Sequence, residues 1–306
     1  MGKDYTGTQY ELAGDGYTAV VTEAGAALRR LRHEGRDLVA GFEATEMMPL
    51  YRGAILAPWP NRIADGRYTF HGRTHQLPVN EVDRATAIHG LVAFAPFGLV
   101  DRGGDHVVLA YRLFASPGYP FTLLITVEHR LGPGGLTTKV TATNGVDEPA
   151  PYGVAPHPYL TAGPGRVDDW ELELPAERYL EVTPDRLLPT GSVLPVEGTG
   201  YDFRAPRRVG GVRIDLAYTG LRPGEDGLAR ARVRAAEGRG VELRWDPAVL
   251  PWVQVHTADR PEPRFDRAGL AVEPMTCPPD AFNSGTDLVV LEPGAAHAAS
   301  WTIGAC

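Results

Sequence analysis

Three short segments of the chain carry side chains able to move protons. AIHGLVAF sets His89 before Gly90, and a glycine there lets backbone approach a ligand closely. APHPYL sets His157 between Pro156 and Pro158. Pro158 biases His157 toward extended backbone and Pro156 fixes the chain before it, so the imidazole is held at a set angle. The competing reading of His157 is a turn histidine packed on Tyr159. The third segment, AVEPMTCPPDAFNSG, carries Glu273 between Val272 and Pro274, and Asp280 before a turn. An unpartnered carboxylate in such an apolar run is costly to bury, so it has either a partner or a task. A buried carboxylate with an oriented imidazole is the minimal pair for general acid/base catalysis. Glu292, followed by Pro-Gly, reads instead as a surface turn.

A fourth segment, PWPNRIADG, offers the Asn61 amide and the Arg62 guanidinium beside Trp59, which could form an apolar platform. Planar donors and acceptors near an aromatic face suit hydroxyl-rich ligands, while a structural ion pair would account equally for Arg62. Other chemistries lack their residues. There is no G-x-S-x-G elbow, Walker A loop or G-x-G-x-x-G after a strand. His71 and His75 stand four apart, but Gly72 lies between them within a hairpin pattern, so a helical metal pair is not expected. Cys277 has no ligand-spaced neighbour. The two lysines, Lys3 and Lys139, leave little for Schiff-base chemistry.

These groups need a scaffold, and the composition indicates its kind. The 306 residues include 36 glycines and 27 prolines, about a fifth of the chain against a usual ~12%. With 43% apolar residues, the chain can still fill a large core. Period-2 runs dominate. FTLLITVEHRL puts Phe121, Leu123, Ile125 and Val127 on one face, then turns through GPGG into LTTKVTATNG, a hairpin pattern. YTFHGRTHQLP predicts a second hairpin turning at His71-Gly72, and WELELP, VELRW and WVQVHT read as further strands. TEAGAALRRLRHEGRDL is ambiguous, because Leu28 and Leu31 suit a helix that Gly25 and Gly35 leave little room for. The pattern predicts one large antiparallel β-sandwich with few helices.

A net charge of −8 without a Lys/Arg stripe disfavours nucleic-acid binding. Two cysteines cannot form a disulfide framework, and no run approaches a membrane span. A soluble, cytoplasmic protein is expected, not held to a membrane and working as a monomer or homodimer. The N-terminal MGKDYT matches a loose myristoylation pattern at Gly2, read as a chance match.

In order along the chain, PWPNRIADGRYTFHGRTHQLPVNE, AIHGL, APHPYL, LPTGSV with GTGYDFR, IDLAYTGL, WVQVHT and AVEPMTCPPDAFNSG resemble the aldose 1-epimerase (galactose mutarotase) family. The resemblance runs from about Asn61 to Gly285. It implies an all-β fold, a single large antiparallel β-supersandwich occupying residues 1–306 as one domain. It also implies a cofactor-independent isomerase that interconverts the anomers of a free monosaccharide such as galactose or glucose. Glu273 would then be the base at the anomeric hydroxyl and His157 the acid at the ring oxygen. His89 would bond near that oxygen, Asn61, Arg62 and Asp215 would hold hydroxyls, and Gln254 would lie by the anomeric centre.

Three places depart from the family pattern: His256 where tyrosine is common, Phe97 where tryptophan is frequent, and Leu216-Ala217-Tyr218 after Asp215. All three are expected near the sugar. Three other functions compete: a sugar-binding or sensing protein, an epimerase of hexose 6-phosphates needing extra Arg or Lys at the phosphate, and a glycosidase using Glu273 with Asp215.

Overall fold

A computed structural model describes residues 4–306, so Gly2 and Lys3 lie outside the described residues. The chain is nearly all β, and its sheets are antiparallel. The largest sheet has nine strands. It starts at the edge strand Gly98–Arg102, passes through His106–Leu113, Leu123–Gly132 and Gly135–Asn144, and then takes up the C-terminal strand Ala296–Ala305. Gly240–Trp245, Ala229–Arg234, Glu171–Glu173 and Arg207–Arg208 complete it.

The expected hairpin pairs Leu123 with Asn144 through to Gly132 with Gly135, and Leu123, Ile125 and Val127 are fully buried on its inner face. The second hairpin pairs Arg67–Phe70 with Arg73–Gln76 across His71-Gly72, both at positive φ. The ambiguous N-terminal stretch is a strand, Leu28–His33, paired with Tyr17–Thr22. Its helix-like spacing has a cause. The register shifts between Val20, opposite Arg30, and Val21, opposite Leu28, so the extra residue of a bulge lets both Leu28 and Leu31 face inward.

A six-stranded sheet carries the polar groups. Its order is Tyr159–Leu160, Leu270–Met275, Trp252–His256, Asp215–Leu221, Ala176–Val182 and Pro189–Pro195. Short two-stranded ladders lie nearby, pairing Ile55–Leu56 with Ala155–Pro156 and Arg62–Ala64 with Thr86–Ile88. One continuous cluster of buried apolar side chains runs from Tyr10 to Ile303. Among the described residues the one α-helix is a single turn, Ala281–Ser284, and no helix is long and apolar enough to cross a membrane.

Candidate active site

Strand register brings the sheet side of the site together. Gln254 pairs directly with Glu273, and His256 pairs with Asp215. Gln254 and His256 are two residues apart on one strand, so both point to the same face, with Glu273 and Asp215 beside them. Gln254 donates to Asp215 Oδ1 at 2.6 Å.

The opposite wall is built from bent backbone. Leu50, Tyr51, Asn61 and His89 all have positive φ, between 52° and 65°. Each such non-glycine residue costs on the order of 1–3 kcal/mol, an expense found chiefly where a side chain must be aimed. His89 N–H donates to Asn61 O at 2.9 Å, joining two of these bends. The glycine after His89 serves this wall rather than a ligand, which corrects the expectation from sequence. Gly90 has φ +73°, and a Cβ there would collide with the Ala57 carbonyl oxygen. His157 is strapped by backbone on both sides, its N–H donating to Ala54 O at 3.0 Å and its carbonyl accepting from Gly53 N–H at 2.8 Å.

These walls enclose a cavity of about 240 Å³ lined by all seven residues singled out from sequence: Asn61, Arg62, His89, His157, Asp215, Gln254 and Glu273. Clefts for drug-sized ligands run to ~300–1,000 Å³, so this one suits a single small ring. His157 Nε2 lies 3.4 Å from Glu273 Oε1, and both side chains are almost fully buried. His157 also stacks on Tyr159, at 5.1 Å between ring centres and 21° between planes, so the packed histidine and the site histidine are the same residue. His89 meets it edge-on at 5.0 Å.

Several polar atoms around the cavity have no partner among the described residues: His89 Nδ1, His157 Nδ1, Gln254 Oε1, both ring nitrogens of His256, and Glu273 Oε2. Buried polar groups are normally satisfied, so this concentration offers bonds to a ligand or to ordered water.

Burial dominates the electrostatics. It pushes Glu273 well above the usual carboxylate range, with Asp215 adding to the rise and Arg62 opposing it. It pulls His157 down to about 3, and lowers His89 and His256 as well. Burial thus favours a proton on Glu273 beside a neutral imidazole at His157. Arg62 is held by Glu81, with Nε to Oε2 at 2.7 Å and Nη2 to Oε1 at 3.0 Å. Burial works against the Glu81 carboxylate, but these bonds to Arg62 overcome it and hold its pKa low. Arg62 Nη2 still lies 3.9 Å from Asp215 Oδ2, so the structural pair and the ligand-facing role coexist in one side chain.

Other expectations fail. Trp59 is no platform: it is buried against Phe282 and donates to Ala87 O, outside the cavity. Phe97 packs in the core beside Tyr111, and Leu216, Ala217 and Tyr218 do not line the cavity, so of the three departures only His256 does. Asp280 is structural, accepting from Ala64 N–H and from the Asn283 amide. Tyr51, Asn80, Glu81 and Arg260 line the cavity without having been singled out. Glu81 follows Asn80 within the string that carries the resemblance, but its role depends on a distant partner that sequence spacing does not reveal.

Comparison with known proteins agrees with this architecture. The profile of the aldose 1-epimerase family matches residues 8–303. The chain belongs to the aldose 1-epimerase family. Within it, an uncharacterised Escherichia coli protein, YihR, is 35% identical over 95% of this chain and 91% of its own length. Mouse galactose mutarotase is 30% identical over 82% of this chain and 77% of its own. A solved aldose epimerase homologue from Caenorhabditis elegans superposes with a TM-score of 0.85 at 20% identity, covering 98% of each chain, which shows the shared fold. Family membership points to an isomerase acting on sugars.

Proposed function

We propose that the protein is an aldose 1-epimerase that interconverts the α and β anomers of a free aldose by general acid/base ring opening. The observation that carries this reading is the 3.4 Å approach of His157 to Glu273 in a ring-sized cavity rimmed by unpartnered polar atoms. One member of the pair takes the proton from the anomeric O1. The other delivers a proton to the ring O5 as the C1–O5 bond breaks and C1=O1 forms. Rotation about C1–C2 presents the other carbonyl face; O5 then gives up its proton, O1 regains one, and C1–O5 closes. We assign Glu273 to O1 and His157 to O5, the proton that burial leaves on Glu273 passing first to His157 across their 3.4 Å contact. Reclosure reverses their proton transfers, so a pair sharing one proton suits both directions. Asn61, Arg62, His89, Asp215 and Gln254 hold the ring hydroxyls. Only protons and the C1–O5 bond move, and the Glu273–His157 pair can supply those transfers, so this mechanism calls on no cofactor. Because these groups come from residues 61 to 273, we infer that residues 1–306 act as one domain, in a cytoplasmic monomer or homodimer.

The test is polarimetry or exchange NMR on freshly dissolved α-D-glucose and α-D-galactose. Faster approach to anomeric equilibrium supports the reading. Binding of aldoses without any acceleration across a panel would replace it with a sugar sensor. A second reading follows from Arg260, which lies exposed at the cavity rim, where among the described residues no carboxylate pairs with its guanidinium. It offers a place for an anionic substituent, so acceleration confined to hexose 6-phosphates, and lost in Arg260→Met, would favour a phosphorylated aldose.

A further inference from the structure

Arg52 adjoins the cavity without lining it, and its surroundings are unusual. The side chain is buried, yet among the described residues no carboxylate pairs with it. Nη1 donates to Gly41 O at 3.0 Å, while Nε and Nη2 are buried without partners. Two aromatic rings hold the guanidinium instead, with its carbon 5.2 Å from the centre of Phe265 and 5.4 Å from that of Tyr159. Tyr159 also stacks on His157, so guanidinium, phenol and imidazole adjoin one another. Tyr51, the residue before Arg52, lies 6.4 Å from the His157 ring at 23° between planes, and the two residues after it, Gly53 and Ala54, make the backbone bonds that strap His157. Gly53 permits this because a Cβ there would collide with the Leu28 carbonyl oxygen. Residues 51–54 thus hold His157 through its backbone, with the Tyr51 ring alongside the imidazole.

We propose that Arg52 is a positioning residue for the proton-transferring imidazole: wedged between Phe265 and Tyr159, it locks the Tyr159 ring against which His157 stacks. The wedge has an electrostatic side as well. A cation over Tyr159 draws on the ring's electron density, so the ring gives an imidazolium at His157 less support. Around His157 stand Glu273, Asp215, His89, His256, Arg260, Tyr51 and Tyr159, and burial dominates them all in keeping the ring neutral. Arg52 acts in the same direction. The inference rests on reading His157 as a proton-transfer group.

The test replaces Arg52 with methionine, which keeps length and apolar contact but removes the charge and the planar wedge. In the folded variant, kcat falls about tenfold or more while KM stays within about twofold, since misplacing a reacting group costs turnover. The acid limb of the pH–rate curve rises by roughly half a pH unit. The ring-current shift that Tyr159 imposes on the His157 Cε1 proton changes in NMR spectra. Arg52→Lys restores the charge and returns the acid limb toward wild type. Phe265→Leu, which loosens the outer half of the wedge, gives the same changes in smaller measure and serves if Arg52→Met does not fold. A folded Arg52→Met, or in its place Phe265→Leu, with wild-type kcat, pH profile and His157 resonance overturns the proposal. If no aldose is turned over but the His157 resonance still responds to Arg52, the positioning stands and the catalytic reading of His157 falls.

Discussion

Replacing Glu273 with glutamine tests the proposed chemistry most directly, because it removes a proton acceptor while keeping the shape. Glu273 is buried on the Leu270–Met275 strand opposite Gln254, with Oε1 3.4 Å from His157 Nε2 and Oε2 unpartnered. Burial already favours its neutral form, so exchanging a neutral acid for a neutral amide removes no buried charge. The fold should hold, with stability changing by about 1 kcal/mol or less. Turnover should not hold. A positioned acid or base contributes ~10²–10⁴-fold, so the barrier should rise by about 3–5 kcal/mol. Polarimetry of α-D-glucose and α-D-galactose, corrected for spontaneous mutarotation, measures the loss. The residual rate should also lose the alkaline limb that Glu273 sets. A folded Glu273→Gln protein within about tenfold of an active wild type would refute the assignment of this carboxylate to O1.

Four further outcomes are expected. His157→Asn should lower kcat by about two orders of magnitude or more while KM changes little, measured by exchange NMR under saturating sugar. The wild-type pH–rate curve should be a broad bell. Its acid limb falls well below the ordinary histidine value, where both groups are protonated and no base remains, and its alkaline limb lies above the ordinary carboxylate value, where no acid remains. Glu81→Gln should strip Arg62 of its buried partner, raise KM, and cost about 3 kcal/mol in denaturant unfolding, because one half of the pair is left uncompensated. Stability should also fall with acidification. Burial pulls His129 down to about 4, so between its unfolded value near 6.5 and pH 4 the unfolded chain binds the extra proton. Urea unfolding at pH 5 should show about 2 kcal/mol less stability than at pH 7 from His129 alone, and His129→Gln should flatten that dependence.

Much of this site was legible in single residues and their immediate neighbours. The prolines around His157 and the apolar flanks of Glu273 pointed to a held imidazole and a costly carboxylate, and the cavity contains both. Strands were legible too, because period-2 alternation is local. What escaped depends on which strand lies beside which. Glu81 gains its place only from reaching Arg62, whereas His256, expected near the sugar from the resemblance, is set there by pairing with Asp215. Tyr51 enters the cavity on two consecutive positive-φ residues, a conformation with no glycine or asparagine to announce it. Trp59 misled because its proximity to Asn61 in sequence suggested a shared face, whereas the bend at Asn61 sends the two side chains apart. Leu28 and Leu31 looked helical because a bulge mimics helical spacing.

The Gln254–Glu273 and His256–Asp215 register also constrains how such a chain can diverge. Deleting one residue within Trp252–His256 would turn Gln254 and His256 to the opposite face and dismantle that wall in a single step. Substitution at those positions, by contrast, alters one contact at a time. Glycines in open turns, such as Gly198 and Gly210, have nothing within 4 Å of where a side chain would begin, so a longer loop there displaces little. Relatives should therefore differ in length at the turns and in side chain at the wall, so that new sugar preferences arise through point changes while insertions accumulate around the rim.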